Sequence, residues 1–200
     1  AVDFGQPALA NGKKYSFEFL LLRLLFFDSD AAALALAEQV SGEEAAFVEQ
    51  MNARAKSLEL LDTSFASSTG LPIKQQDALV SAAGLTTEWS ARTSLRDLAR
   101  LFLIAQKNQQ LALAMQKRSE YQVLEGPQVV SLHHQLEPLW TMSDGRVTGV
   151  VFSDRKSATT LTFGQAGEIN ILTLITGDLA NQAVNDTLAL YDATERTYEV

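Results

Sequence analysis

From Ser16 to Leu58 apolar positions recur at the spacing of an amphipathic helix, and the pattern breaks twice. Phe17, Leu20, Leu21, Leu24 and Leu25 fall on one side of a first helix, with Ser16 placed to cap it. Phe27-Asp28-Ser29-Asp30 ends that helix. An Ala-rich helix from about Ala31 to Val40 follows, with Asp30 at the positive end of its dipole. Its small side chains predict burial and close approach to neighbours. Ser41-Gly42-Glu43-Glu44 has the spacing of a capping box and opens a third helix, with Phe47, Met51, Ala55 and Leu58 on one face. Asp62 to Leu71 reads as a short extended segment and turn. Pro72 to Trp89 reads as a longer polar connection with a short helix near Gln76 to Ala83. Thr93-Ser94-Leu95-Arg96-Asp97 starts the next helix, whose stripe is Leu95, Leu98, Phe102 and Ala105, and Gln109 to Lys117 continues as helix.

Near Ser119 the period changes from helical to alternating. Arg146 to Phe152, Ala158 to Phe163 and Glu168 to Ile175 read as strands, and Gln128 to Leu132 as a weaker one. Gly164-Gln165-Ala166-Gly167 reads as a tight hairpin turn. Asp178 is placed to cap a C-terminal helix with Val184, Leu188 and Tyr191 inward. The fold class is therefore α+β. A helical part occupies residues 1–118, and an antiparallel β-meander with a closing C-terminal helix occupies 119–200, the two expected to form one compact unit.

Two hundred residues with a 46% apolar and 20% charged composition can build a real core. The net charge of −8 repels phosphate and argues against nonspecific binding to nucleic acid or an anionic membrane. Without cysteine, disulfides and thiolate metal sites are excluded. The most apolar run, Phe17 to Phe27, contains Glu18 and Arg23 and falls short of the ~20 residues a membrane helix needs, so no transmembrane segment is expected. The start at Ala1-Val2-Asp3-Phe4 shows no initiator Met and no basic-then-apolar leader, and suggests a processed product.

Four blocks occur in an order that resembles the serine D-alanyl-D-alanine carboxypeptidases, the low-molecular-mass penicillin-binding proteins. LLRLLFFDSDAAALALAE resembles the segment where that family carries Ser-x-Asn before an Ala-rich helix. FVEQMNARAKSLELLDTSFASSTGL resembles the amphipathic helix and extended turn that come next. TSLRDLARL resembles the following helix, and Asp144-Gly145-Arg146-Val147-Thr148-Gly149 resembles the family's Asp-Gly-x-Lys-Thr-Gly strand. The resemblance runs from about Leu9 to Val200. It implies a partial penicillin-binding-protein or β-lactamase-like fold, an extracytoplasmic location and a cleft for cell-wall peptide.

The resemblance also implies a reaction whose groups are largely absent. The family acylates a Ser in Ser-x-x-Lys, with the Lys accepting its proton. That motif belongs upstream of the Leu20 helix, where this chain has none. The single match, Ser153-Asp154-Arg155-Lys156, follows the Thr-Gly strand, out of order and in an expected turn. Ser-x-Asn falls on Asp28-Ser29-Asp30, with both functional positions changed, or, shifted by one residue, on Ser29-Asp30-Ala31, which keeps the Ser and loses the Asn. Lys-Thr-Gly becomes Val147-Thr148-Gly149, which loses the cation that attracts a substrate carboxylate and lowers neighbouring pKa values. Arg146 is adjacent, but successive strand side chains face opposite ways, so it cannot substitute without a bulge. A vestigial cleft of Asp28, Ser29, Asp30, Val147, Thr148 and Gly149 with no catalytic residue is the expectation. The alternative is an active carboxypeptidase whose nucleophile lies on an upstream segment or partner chain.

Other chemistry is thinner. His133-His134 would point apart on a strand and suits a solvent-facing position better than a metal site. Asp28, Asp30, Glu18 and Glu38 suit helix capping and an acidic surface. Trp89 and Trp140 suit core or loop anchoring better than sugar stacking. There is no phosphate-binding loop, and no cofactor or metal is expected. The family's central helix would leave uncovered apolar faces if missing, at roughly 1.5–3 kcal/mol per large side chain. Direct repacking, a homodimer or a companion polypeptide would fill that space.

Overall fold

The computed structural model describes residues 9–10, 12–70, 91–123, 129–154, 159–176 and 180–198. The connection at Pro72–Trp89, Asp178, and Arg155 and Lys156 of the Ser153–Lys156 match lie outside them. Packing divides the chain into two units: residues 30–103 belong to one, and residues 10–29 with 104–200 to the other. The first helix therefore packs with the sheet, which differs from a division by element type at 118/119.

In the first unit, helix α2 (Asp30–Ser41) packs against α3 (Glu44–Ser57). Ala32, Ala33 and Ala37 are buried, as their size suggested. Gly42 ends α2 with a positive φ of 81° and donates its N–H to Glu38 O. The expected capping box at Ser41–Glu44 does not form. Glu43 is the N-cap and makes no side-chain bond, while the Glu44 carboxylate accepts from the N–H and hydroxyl of Ser68. A long-range pair of hydrogen bonds won over a local one. Helix α4 (Leu95–Ala105) starts as expected, with Ser94 Oγ accepting from Asp97 N. Phe102 of the expected stripe is buried, but Leu95 is exposed and Asp97 is buried. The Asp97 carboxylate accepts from Asp62 N and Thr63 Oγ1, which ties α4 to the segment after α3. Asn52 clamps that same segment with bonds to both the N–H and the C=O of Phe65.

The second unit is built on α1 (Phe17–Phe27), α5 (Gln109–Gln116), β1 (Ser119–Val123), β2 (Val129–His133), α6 (Glu137–Met142), β3 (Val147–Asp154), β4 (Thr159–Ala166), β5 (Ile169–Thr176) and α7 (Ala180–Tyr198). Ser16 caps α1 by accepting from Phe19 N. The buried residues of α1 are Phe19, Leu20, Leu22, Arg23, Phe26 and Phe27; of the expected stripe Leu20 is buried, whereas Phe17 is exposed and Leu21, Leu24 and Leu25 are half-buried. Arg23 lies under the Phe19 ring, its guanidinium carbon 5.7 Å from the ring centroid.

Strands β3, β4 and β5 form the antiparallel meander, in that order. The weak strand is β2, and it pairs with β1 in a separate hairpin. β4 runs on to Ala166, so the connection to β5 is only Gly167-Glu168. Gly167 takes the positive φ there, at 57°. Helix α7 packs on β4 and β5, whereas α1, α5 and α6 pack on β3. The buried cluster is Leu136, Leu139, Trp140, Val147, Val150, Val184 and Tyr191, with Ile171 and Leu188 against it. Val184, Leu188 and Tyr191 do face inward, and Trp140 is core. No helix among the described residues is long and apolar enough to cross a membrane.

Candidate functional site

The Val147-Thr148-Gly149 segment is a β-bulge. Val147 pairs with Gly164 and Gly149 with Phe163, so one step along β4 spans two along β3. The bulge cancels the usual alternation. Val147 turns into the cluster with Tyr191 and is fully buried. A Cβ on Gly149 would lie 2.2 Å from the Phe163 ring and 2.9 Å from Met115 O of α5. Phe163 and Gly164 are consecutive on β4, and a Cβ on Gly164 would meet Arg146 O and the Tyr191 hydroxyl. The two valine and glycine positions therefore serve opposite faces of the sheet. Thr148, the extra residue, is exposed and donates its hydroxyl to Phe163 O at 3.4 Å.

Arg146 sits immediately before the bulge and is fully engaged elsewhere. Its NH1 reaches Asp192 Oδ1 at 2.6 Å and Glu195 Oε2 at 3.3 Å on α7, and its Nε donates to Ser143 O. The hydrogen bond to Asp192 raises its pKa against the opposing effect of burial. The bulge that a substitution for lysine requires is present, yet the arginine is directed to the helix. Burial on the same side pushes the Tyr191 phenol up to about 12.

Asp28 caps the end of α1 in the left-handed region, φ 53°, donating its N–H to Leu24 O. Ser29 is buried, and Asp30 opens α2 in its first turn, where the helix dipole favours a carboxylate. The division into units falls between Ser29 and Asp30, so the three do not belong to one packed body. Ser153 belongs to β3 and pairs with Thr160, not to a turn as its sequence suggested.

The histidine pair separates. His134 is buried, which corrects the expectation of a solvent-facing position. Its ring lies 5.1 Å from that of Phe26 and 5.2 Å from that of Trp140. Its Nδ1 accepts from Leu136 N, and burial lowers its pKa to about 4 despite a hydrogen bond to the Leu25 backbone. His133 is exposed. Its Nε2 lies 2.8 Å from Ser131 Oγ and its Nδ1 3.3 Å from Glu137 Oε2. Sequence reading passed over this chain of contacts, although Ser-x-His on a strand places both side chains on one face. Among the described residues no group of three His, Cys, Asp or Glu could hold a metal.

A sequence model of the D-alanyl-D-alanine carboxypeptidase family matches residues 3–155. The chain belongs to that family. The family's fold also recurs in solved structures. A penicillin-binding protein homologue from Mycobacterium tuberculosis aligns at TM-score 0.67 with 18% identity, over 90% of this chain and 65% of its own. The D-alanyl-D-alanine carboxypeptidase of the same organism gives 0.64 and 18%, over 94% and 70%. Penicillin-binding protein 6B from Escherichia coli gives 0.60 and 18%, over 86% and 50%. This carboxypeptidase-family chain thus spans between half and 70% of those three structures. Its mixed helices and antiparallel sheet are a partial penicillin-binding-protein or β-lactamase-like fold.

Proposed function

We propose that this carboxypeptidase-family chain is non-catalytic as a carboxypeptidase, a module that binds cell-wall peptide or assembles with a partner outside the cytoplasm. The burial of Val147 carries the reading. Where the family's strand motif would present a lysine, this chain has a fully buried apolar side chain packed with Tyr191 and Val184. The neighbouring cation, Arg146, is held by Asp192 and Glu195. A substrate carboxylate would find no cation on this stretch of β3. Asp28, Ser29, Thr148 and Gly149 are then remnants of a cleft, with Thr148 still exposed to a ligand.

A homodimer or companion polypeptide supplying a central helix fits the same reading. Light scattering coupled to size exclusion tests it, and a monomer that survives dilution removes both. Incubation with a fluorescent penicillin tests the loss of catalysis: the chain is expected to carry no covalent label after denaturation. A label on any serine of residues 1–200 other than Ser131, the one in contact with His133, would overturn the reading.

A second reading rests on the partial coverage of the solved structures. The described residues would be the scaffold of an active carboxypeptidase whose nucleophile is carried elsewhere. Labelling of the longest natural polypeptide that contains this sequence, on a serine outside it, would select that reading.

A further inference from the structure

The β1–β2 hairpin carries an ordered chain of three side chains that has no part in the β3 bulge or in any segment resembling a family motif. Ser131 and His133 are two residues apart on β2 and share a face, and Glu137 enters from the first turn of α6. A carboxylate only accepts, so a neutral His133 holds its proton on Nδ1, toward Glu137 Oε2 at 3.3 Å. Nε2 is left as the acceptor, and Ser131 Oγ, 2.8 Å away, is the donor. This is the order in which a base, itself oriented by a third group, takes a proton from a nucleophilic serine. Tyr121 lies directly across from Ser131 and Val129 two residues before it. Their exposures of 69% and 61% set a wet apolar flank beside the hydroxyl.

We propose that Ser131, His133 and Glu137 form a surface hydrolytic site for small activated esters with an apolar acyl or aryl group. Ser131 Oγ bonds to the ester carbonyl carbon as its proton passes to His133 Nε2. The adduct collapses, the bond to the leaving oxygen breaks, and that oxygen departs with the proton from His133. Water then adds to the acyl-serine, giving a proton to His133. The second collapse frees the carboxylic acid and returns the proton to Ser131. The balance is ester plus water to acid plus alcohol. Ser131 and His133 are the catalytic residues, and Glu137 is a positioning residue. The exposed setting leaves the oxyanion to solvent, so acceleration is confined to the general-base contribution, about 100-fold.

The full chain would be treated with a fluorophosphonate probe, and its hydrolysis of p-nitrophenyl butyrate followed. The expected result is an adduct on the Ser131 peptide that is lost in Ser131→Ala, and a kcat about 100-fold lower in His133→Gln. Glu137→Gln lowers kcat with KM unchanged, and Glu137→Asp restores part of it. An unlabelled Ser131, or hydrolysis unaltered in Ser131→Ala, would overturn the proposal. Because the chain has no cysteine, Ser131→Cys gives a single thiol. Iodoacetamide should alkylate it several-fold faster with His133 present than in the additional His133→Gln background, and equal rates would count against the site. Penicillin labelling reads the remnant cleft separately, so the two proposals stand or fall apart.

Discussion

Gly149 and Gly164 sit where the sheet leaves no room for a side chain. A methyl on Gly164 would overlap Arg146 O, which is backbone, at 1.9 Å; on Gly149 it would meet the Phe163 ring at 2.2 Å and the backbone Met115 O less severely, at 2.9 Å. Gly164→Ala is therefore expected to cost at least about 3 kcal/mol and Gly149→Ala about 1–3 kcal/mol, read as loss of thermal stability. Val147→Lys would bury an unpaired charge among Tyr191, Val184 and Val150. It should destabilise by about 3 kcal/mol or more and still give no penicillin labelling. His134 provides a pH dependence. Unfolded, it takes up a proton near pH 6.5, whereas folded it resists to about 4. Between those values the unfolded chain binds more protons, so stability falls as pH drops through the window, by up to about 3 kcal/mol. Urea unfolding at pH 7 and pH 4.5 measures the loss, which His134→Gln should largely abolish.

At the scale of elements, periodicity located α1, α2, α3, α5 and the three meander strands, because a 3.6 or 2.0 repeat survives in any environment. Which side of an element is buried was less legible. α1 is apolar almost all round, so its expected stripe meets the buried set only at Leu20 and could not be told from the face at Phe19, Leu22 and Phe26. Capping was legible only where it stayed local. Ser16 and Ser94 cap as their spacing suggests, but Glu44 bonds Ser68, 24 residues away. The bulge at Val147–Gly149 left no sequence mark, since it arises from the pairing with Gly164 and Phe163. The contact of Ser131 with His133 was readable from alternation, and Glu137 joins only because α6 follows directly. Asp97 ties α4 to the segment at Asp62-Thr63. Asp97→Ala leaves a backbone N–H and a hydroxyl without their acceptor and should cost about 1–3 kcal/mol in denaturant unfolding.

For the molecule as a whole, the two units differ in what they bury. Among the described residues, the helical unit's buried apolar side chains are Ala32, Ala33, Ala37, Ala55, Leu60 and Phe102, mostly small. The sheet unit buries Phe19, Leu22, Phe26, Leu139, Trp140 and Tyr191. Protection scales with apolar area, so amide hydrogen exchange should be slower in β3–β5 than in α2 and α3. Equal protection would show that the units open together. The family order of blocks was the most legible property of the whole chain, and the family model matches residues 3–155.

The sheet unit is discontinuous along the chain, joining α1 to strands more than a hundred residues later. On a ribosome, at roughly 5–20 residues per second, α1 emerges several seconds before β3 exists to receive it. Through that interval Phe19, Leu22 and Phe26 have no sheet to cover them. The nascent chain is then a natural client for a holding chaperone, and α1 is among the last elements to find its place.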